Sequence, residues 1–439
     1  METKLARIAE VAREKPKERF TSLTHLINKE MLIYCHRKMQ KKKAPGVDEI
    51  TKLDYERNLN TNIDDLISRM KRQAYKPQTV KRIYIPKPGT DKKRPIGIPA
   101  YEDKLVQSAI AQILNAVYEQ DFLDCSFGFR PNRGCHDALR RLNQHVNKHR
   151  VKYVVDVDIE GFFDNVNHEW LMEFLKHRIA DTNLQRLIFR FLKAGIIESG
   201  IKYDTPQGTP QGGVISPILA NLYLHYVIDV WFEKGIKKHS RGIAEIVRYA
   251  DDSVFCFECK DEAYVFYHML EKRLEKFGLK LSKEKSKIIK IKEDDNDSDT
   301  KMEVESFDFL GFTHYWGKAR SGISRICRKT NKKRYSAGLQ RCKVWMKFNR
   351  TLPTKEFMKR INRKVQGHIN YYGVTDNYNS VNDFVDEVRS LIFKWLNRRS
   401  QRRSFNWSKF ILFMRKYPLP KPKIHVNLFR EKGEHCYNL

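Results

Sequence analysis

No run of the 439 residues is apolar for long enough to cross a bilayer, and the opening METKLARIAEVAREKPKERF has no signal-peptide core. The expectation is a cytoplasmic protein of the bacterial cytosol or nucleoid, with no membrane partner. Solenoid repeats are absent as well. Cysteine is scattered over positions 35, 125, 135, 256, 259, 327, 342 and 436, and only Cys256 and Cys259 form a C-x-x-C pair. No second pair completes a zinc site, and on the strand expected there a separation of three sends the two thiols to opposite faces. Reduced thiols are therefore expected, not a structural metal. Acidic residues are the scarce class: 53 against 84 basic ones, a formal charge of +31. Such an excess suits a polyanionic partner, because each neutralised phosphate releases condensed counterions. Hydrophobic residues at 41% and aromatics at 12% are enough to build a core, so most of the chain should fold.

The pattern divides into three parts. Residues 1–44 read as a helical, basic extension ending in Lys41-Lys42-Lys43, before a loop at Pro45-Gly46. Residues 45–315 form the second part, in which strand and helix patterns alternate from about 75 to 315, predicting an α/β or α+β domain. Within it, Glu293–Glu305 is acidic, lacks apolar periodicity and reads as an exposed loop. Residues 325–439 are helical and strongly basic. Phe357, Ile361, Val365 and Ile369 recur every four positions, and Phe384, Val388, Leu391, Ile392 and Trp395 form a second stripe. Both stripes are core faces, and Ser380-x-x-Asp383 suggests a capping box for the second helix. That helix runs into Arg398, Arg399, Arg402 and Arg403, followed by Phe405 and Trp407. A helix end accounts for one or two arginines; four with two aromatics predict a phosphate-and-stacking surface.

Chemistry is concentrated in two acidic pairs. In Tyr153–Ile159 (YVVDVDI), Tyr153, Val155, Val157 and Ile159 share one face, while Val154, Asp156 and Asp158 share the other. Carboxylates on so apolar a strand point to a cation site, and the periodicity leaves Asp156 and Asp158 equally placed. The second pair lies in Ile246–Phe257 (IVRYADDSVFCF), where two apolar runs flank a tight hairpin at Ala250-Asp251-Asp252-Ser253. An Asp-Asp turn alone says little, since Asp is a routine turn former. Carboxylates from two adjacent strands, however, can hold two Mg²⁺ ions roughly 3.5–4 Å apart. Mg²⁺ prefers carboxylate oxygens and shares its octahedron with substrate phosphates, so in-line nucleotidyl transfer is the reaction expected.

These stretches resemble the motifs of reverse transcriptases. Tyr249-Ala250-Asp251-Asp252 is similar to motif C, and Asp158-x4-Phe163-Asp164 to motif A, which selects Asp158 over Asp156. Pro210–Pro217 (PQGGVISP) resembles motif B, Phe277–Lys285 (FGLKLSKEK) motif D, and Phe309-Leu310-Gly311-Phe312 the primer grip. Ile85-Pro86-Lys87 and Arg94–Pro99 resemble the fingers hairpin, and Phe127–Pro131 the block after it. The resemblance implies an α+β right-hand polymerase: fingers and palm with an antiparallel sheet, then a helical thumb. It implies Asp158, Asp251 and Asp252 as catalytic ligands of two Mg²⁺ ions, and Lys285 as the acid for the pyrophosphate leaving group. Lys87 and Arg94, flanking a Pro88-Gly89 turn, would reach the dNTP triphosphate. Phe163 would exclude a ribose 2′-hydroxyl, and Gln211 would touch the incoming nucleotide beside two permissive glycines. Phe309 and Gly311 would join Arg398, Arg399, Arg402 and Arg403 as nucleic-acid contacts.

From about residue 40 to 428 the chain resembles group II intron-encoded reverse transcriptases, or maturases. Ala44–Asp48 (APGVD) looks like the block ahead of the fingers. Ile361–Tyr372 (INRKVQGHINYY) and Phe393–Arg399 (FKWLNRR) look like the thumb, called domain X. The resemblance implies an RNA-dependent DNA polymerase whose partners are its intron RNA, a DNA or RNA primer, target DNA and dNTPs. Only His435-Cys436 stands where many relatives carry an H-N-H endonuclease, so a lineage lacking that domain is expected. A stand-alone reverse transcriptase for defence or repair would share the same catalytic motifs, and a splicing-only RNA-binding maturase would not need the three aspartates.

Overall fold

The computed structural model describes residues 2–86, 93–148, 150–198, 200–209, 211–292, 303–319, 322–399 and 405–430. Eleven strands are described: β1 (Val80–Pro86), β2 (Lys93–Ile98), β3 (Tyr153–Val157), β4 (Ile196–Glu198), β5 (Ile201–Tyr203), β6 (Ala244–Tyr249), β7 (Asp252–Phe257), β8 (Lys287–Lys290), β9 (Phe307–Phe309), β10 (Phe312–Lys318) and β11 (Ser324–Thr330). They form three sheets, ordered β2-β1-β4-β5, β6-β7-β3-β8 and β11-β10-β9. The first is mixed, because β1 runs parallel to β4. The second, the palm sheet, is antiparallel throughout.

Strand β3 is interior to the palm sheet and buried on both faces. Tyr153, Val155 and Val157 pack into a core shared with the helices Tyr101–Tyr118, His168–Lys176, Ser216–Leu224 and Lys260–Lys276. Val154 on the other face joins Val247, Val254, Cys256 and Ile289 in a second core, completed by Phe307, Phe309 and Phe312 of the third sheet. A two-faced core is why the segment reads as nearly continuous apolar sequence, and why its two aspartates stand out. The N-terminal helices Glu2–Glu14 and Lys29–Lys38 lie against Tyr101–Tyr118.

The thumb helices Lys332–Asn349, Thr354–Tyr372, Tyr378–Leu396 and Trp407–Lys416 enclose a third core. Both expected stripes are there: Phe357, Ile361, Val365 and Ile369 are buried, as are Phe384, Val388, Ile392 and Trp395. Three local expectations need correction. The helical part begins at Lys332, not 325, because β11 pairs with β10 over its whole length, from Phe312↔Thr330 to Lys318↔Ser324. Ser380 lies inside its helix, whose N-cap is Asn377; that side chain instead bonds Thr330 and the Tyr372 carbonyl. Cys256 sits on β7, but Cys259 has left the strand and precedes the helix Lys260–Lys276; both are free thiols. Among the described residues no helix is long and apolar enough to cross a membrane.

Candidate active site

The two acidic segments meet at one end of the palm sheet. Strand β3 pairs with β7 from Tyr153↔Phe257 to Val157↔Ser253, so one further step brings Asp158 opposite Asp252. Strands β6 and β7 close at Tyr249↔Asp252, leaving Ala250 and Asp251 as a two-residue turn with Ala250 at φ +58°. Asp156 lies two residues further back, opposite Val254 and Lys287 and away from the turn. The pairing thus brings Asp158, and not Asp156, level with Asp252.

The backbone of Asp158 is clamped from the stretch ahead of β8. Its N–H donates to Ser286 Oγ (3.0 Å), and its carbonyl accepts from the Ser282 N–H (2.9 Å). Its carboxylate is 35% exposed and pairs with Lys285 Nζ at 2.7 Å. The neighbouring lysines are engaged elsewhere, Lys283 with Glu271 and Lys287 with Glu305. Among the three, Lys285 alone is shown on Asp158.

The electrostatics show how closely these groups stand. Asp252 opens to the surface on one side, yet desolvation by the protein around it, then the charges of Asp251 and Asp158, push its carboxyl up to about 6. Asp251 is raised by burial and by Asp158, against the opposing charges of Arg94 and Arg248. Burial and then Asp252 lift Asp156 to about 7. Asp158, Asp251 and Asp252 together supply carboxylate oxygens, the donors that a divalent cation such as Mg²⁺ prefers. Among the described residues no group of three His, Cys, Asp or Glu stands close enough to hold a metal ion as it is.

Around this centre the other motifs are joined by backbone contacts. The Gly97 N–H of β2 donates to the Gln211 carbonyl at 2.6 Å, and Gly212, at φ +112°, lies so close that a Cβ there would be 2.5 Å from the Gly97 carbonyl. Phe163, half-buried, stacks edge-on against Phe162 with centroids 5.3 Å apart, and its carbonyl accepts from the Thr209 N–H (2.7 Å). Arg94 is exposed on β2; Lys87 lies outside the described residues.

Two sets of expected nucleic-acid contacts are revised. The Phe309 side chain is 4% exposed and belongs to the palm core, so it shapes the Leu310-Gly311 turn and offers no surface. That turn, with φ +50° and +83°, is tied to the thumb: the Leu310 carbonyl accepts from Tyr371 Oη (2.8 Å). Arg399 is spent internally, donating to Thr354 Oγ1 (3.1 Å) and the Leu352 carbonyl (3.0 Å) beside the Phe357 ring. Arg398 remains exposed, Phe405 packs on Phe410 and Phe413, and Trp407 is half-exposed. Arg402 and Arg403 lie outside the described residues.

Sequence reasoning missed Arg248, Asp229, Asn221 and Ser126, which form a buried network beneath the turn. The signal was present: Arg248 is a charge inside an apolar strand, as Asp158 is at the end of one.

An antiparallel palm sheet bearing carboxylates at a strand end and a hairpin tip, with a separate fingers sheet and a helical bundle, defines the class of right-hand nucleic-acid polymerases. The family follows from likeness to known proteins. Residues 85–314 match "Reverse transcriptase (RNA-dependent DNA polymerase)" and residues 336–411 match "Group II intron, maturase-specific domain". The chain belongs to the reverse transcriptase family, and its C-terminal part is similar to the group II intron maturase-specific domain. It is 38% identical over 222 residues to the group II intron-encoded protein LtrA of Lactococcus lactis subsp. cremoris, covering 50% of this chain and 37% of that one. It is 34% identical over 201 residues to protein YkfC of Escherichia coli (strain K12), covering 45% and 52%. A Pol polyprotein from the type-2 retrotransposable element R2DM of Drosophila melanogaster is 25% identical over 281 residues, 60% of this chain and 26% of that protein. The similarity therefore spans about half or less of each of these relatives.

Proposed function

We propose that the protein is an RNA-dependent DNA polymerase that also binds a group II intron RNA, promotes its splicing and copies it during retromobility. The polymerase half rests on the placement of Asp158 opposite Asp252, beside the Ala250–Asp251 turn. In this reading Asp158, Asp251 and Asp252 would hold two Mg²⁺ ions, which would supply acidification of a primer 3′-hydroxyl and stabilisation of the charged phosphoryl transition state. The chain's other residues orient the reactants. Arg94, whose charge already reaches Asp251, receives the triphosphate together with Lys87. Phe163 excludes the ribose 2′-hydroxyl, so dNTPs are used. Gln211 and Gly212 present backbone to the incoming nucleotide. Lys285 keeps a proton 2.7 Å from Asp158 Oδ2, where it can pass to departing pyrophosphate.

The maturase half rests on the match at residues 336–411 and on the basic surplus. Here the partners are intron RNA, as template and ribonucleoprotein scaffold, together with a DNA or RNA primer and target DNA. The deciding experiment supplies the protein with a precursor transcript carrying its flanking intron, dNTPs and Mg²⁺. Ligated exons and primer-extended DNA are expected together. No extension overturns the polymerase half, and extension without ligation favours a stand-alone reverse transcriptase.

The two described arginines at the end of the helix Tyr378–Leu396 should separate by role. Arg398→Ala is expected to reduce the salt slope of RNA binding by about one and leave melting unchanged. Arg399→Ala is expected to cost about 1–3 kcal/mol of stability through the lost hydrogen bonds and leave the slope alone. Binding isotherms across a salt series, with melting curves, check both.

A further inference from the structure

Arg248 is a buried charge two residues before the catalytic turn, and the mechanism above does not use it. It is fully buried, and all five of its guanidinium N–H groups have acceptors. Nε and Nη2 grip the two oxygens of Asp229 at 2.7 and 2.5 Å. Nη1 donates to Asn221 Oδ1 (3.2 Å) and to the Ala250 carbonyl (2.9 Å), and Nη2 also donates to Ser126 Oγ (2.8 Å). These acceptors come from four places: the loop after the helix Tyr101–Tyr118, the helix Ser216–Leu224, the π-helical turn His225–Asp229 and the catalytic turn itself. The backbone repeats the tie, since the Arg248 N–H donates to the Cys125 carbonyl (2.8 Å) and the Phe127 N–H to the Arg248 carbonyl (2.9 Å).

We infer that Arg248 is a positioning residue. Gripped by Asp229 and braced by Ser126 and Asn221, it fixes the Ala250–Asp251 turn in the bend that aims the two aspartates. It thereby sets the affinity of the site for divalent cations. This rests on the polymerase reading above.

Ala250 occupies the left-handed region, which is unfavourable for a residue with a Cβ, so its surroundings must hold it there. They do so from two sides. Arg248 takes its carbonyl, and the Gly128 backbone lies so close that a Cβ on Gly128 would be 2.3 Å from the Ala250 nitrogen. Asn221 links the two braces, donating from Nδ2 to the Gly128 carbonyl at 2.7 Å while its Oδ1 accepts from Arg248. Stability alone does not account for the network. Desolvating two buried ions offsets their attraction, and an apolar pair of similar volume is often as stable. What an apolar pair cannot do is hold a carbonyl, and a lysine cannot grip Asp229 in bidentate fashion and reach Ala250 as well.

The test compares the full-length wild type with Arg248→Lys and with the double variant Arg248→Met/Asp229→Leu. Mn²⁺ binding is followed by electron paramagnetic resonance, alongside melting and primer extension. Both variants are expected to bind Mn²⁺ roughly 10–100-fold more weakly, as when groups that orient metal ligands are lost. Extension should fall about 100-fold, the scale of a 1 Å misplacement, and recover in part in Arg248→Lys as Mg²⁺ is raised. The double variant should keep a melting temperature near wild type. Unchanged Mn²⁺ affinity in both variants would overturn the inference, as would losses that merely track melting temperature. Wild type that binds Mn²⁺ at this turn but extends no primer would sink the polymerase reading and leave the positioning role standing.

Discussion

Asp251→Ala is expected to lower complementary-DNA synthesis by more than about 10³-fold, about 4 kcal/mol in the barrier, while RNA binding and splicing stay near wild type. The separation follows from where the side chain sits. Asp251 is half-buried at the tip of a two-residue turn and belongs to none of the three apolar cores. Its ionised form is disfavoured in the folded protein, first by burial and then by Asp158. The sign of the linkage is therefore clear: a carboxyl whose folded pKa lies above its unfolded value favours the fold when protonated, and that contribution is lost as pH rises through the raised value. At neutral pH the ionised carboxylate opposes folding, so alanine should leave the melting temperature unchanged or higher. Primer extension on RNA, exon ligation and melting, measured on one preparation, check all three. Equal loss of synthesis and splicing would mean that the acidic turn is structural and that the polymerase assignment fails.

The site was legible where a residue contradicted its local pattern. Aspartates in an apolar strand announce themselves, but their pairing does not. Asp156 and Asp158 share a face in any strand, and only the β3–β7 register puts Asp158 at the turn. Arg248 broke the same kind of pattern, yet its acceptors Asp229, Asn221 and Ser126 lie 19, 27 and 122 residues away, beyond any periodicity. Motif likeness located chain segments more reliably than side-chain roles. Leu310 and Gly311 form a turn, but Phe309 beside it faces the core; the helix Tyr378–Leu396 is there, but Arg399 ties its end to the preceding loop. The thumb helices were legible because a four-residue apolar stripe needs no distant partner. The strand β11 was not, because its sequence SRICRKT has no period-two pattern of its own and becomes a strand only through pairing with β10.

Gly212→Ala should give the second large effect, a rise in the KM for dNTPs of roughly 100-fold, with a smaller loss of stability. Two penalties coincide at this position. A φ of +112° is closed to alanine, and the new Cβ would stand 2.5 Å from the Gly97 carbonyl and 2.9 Å from Ile96 Cγ2. Neither obstacle to the methyl is a flexible side-chain end, so the backbone must give way, at about 1–3 kcal/mol. The contact that yields is the hydrogen bond from the Gly97 N–H to the Gln211 carbonyl. That bond joins the fingers hairpin to the loop presenting Gln211, and Arg94 lies on the same strand three residues before Gly97. Separation of hairpin from loop therefore misplaces both groups proposed to receive the nucleotide, while the thumb, with its own core, should keep its grip on RNA. Gly200→Ala isolates the clash, since Gly200 also has a positive φ, +84°, but a methyl there would meet nothing within 4 Å, and its KM should stay at wild type. Steady-state extension over a dNTP titration distinguishes the outcomes. A Gly212→Ala protein that keeps the wild-type KM would show that the junction between hairpin and loop does not govern how the incoming nucleotide is held.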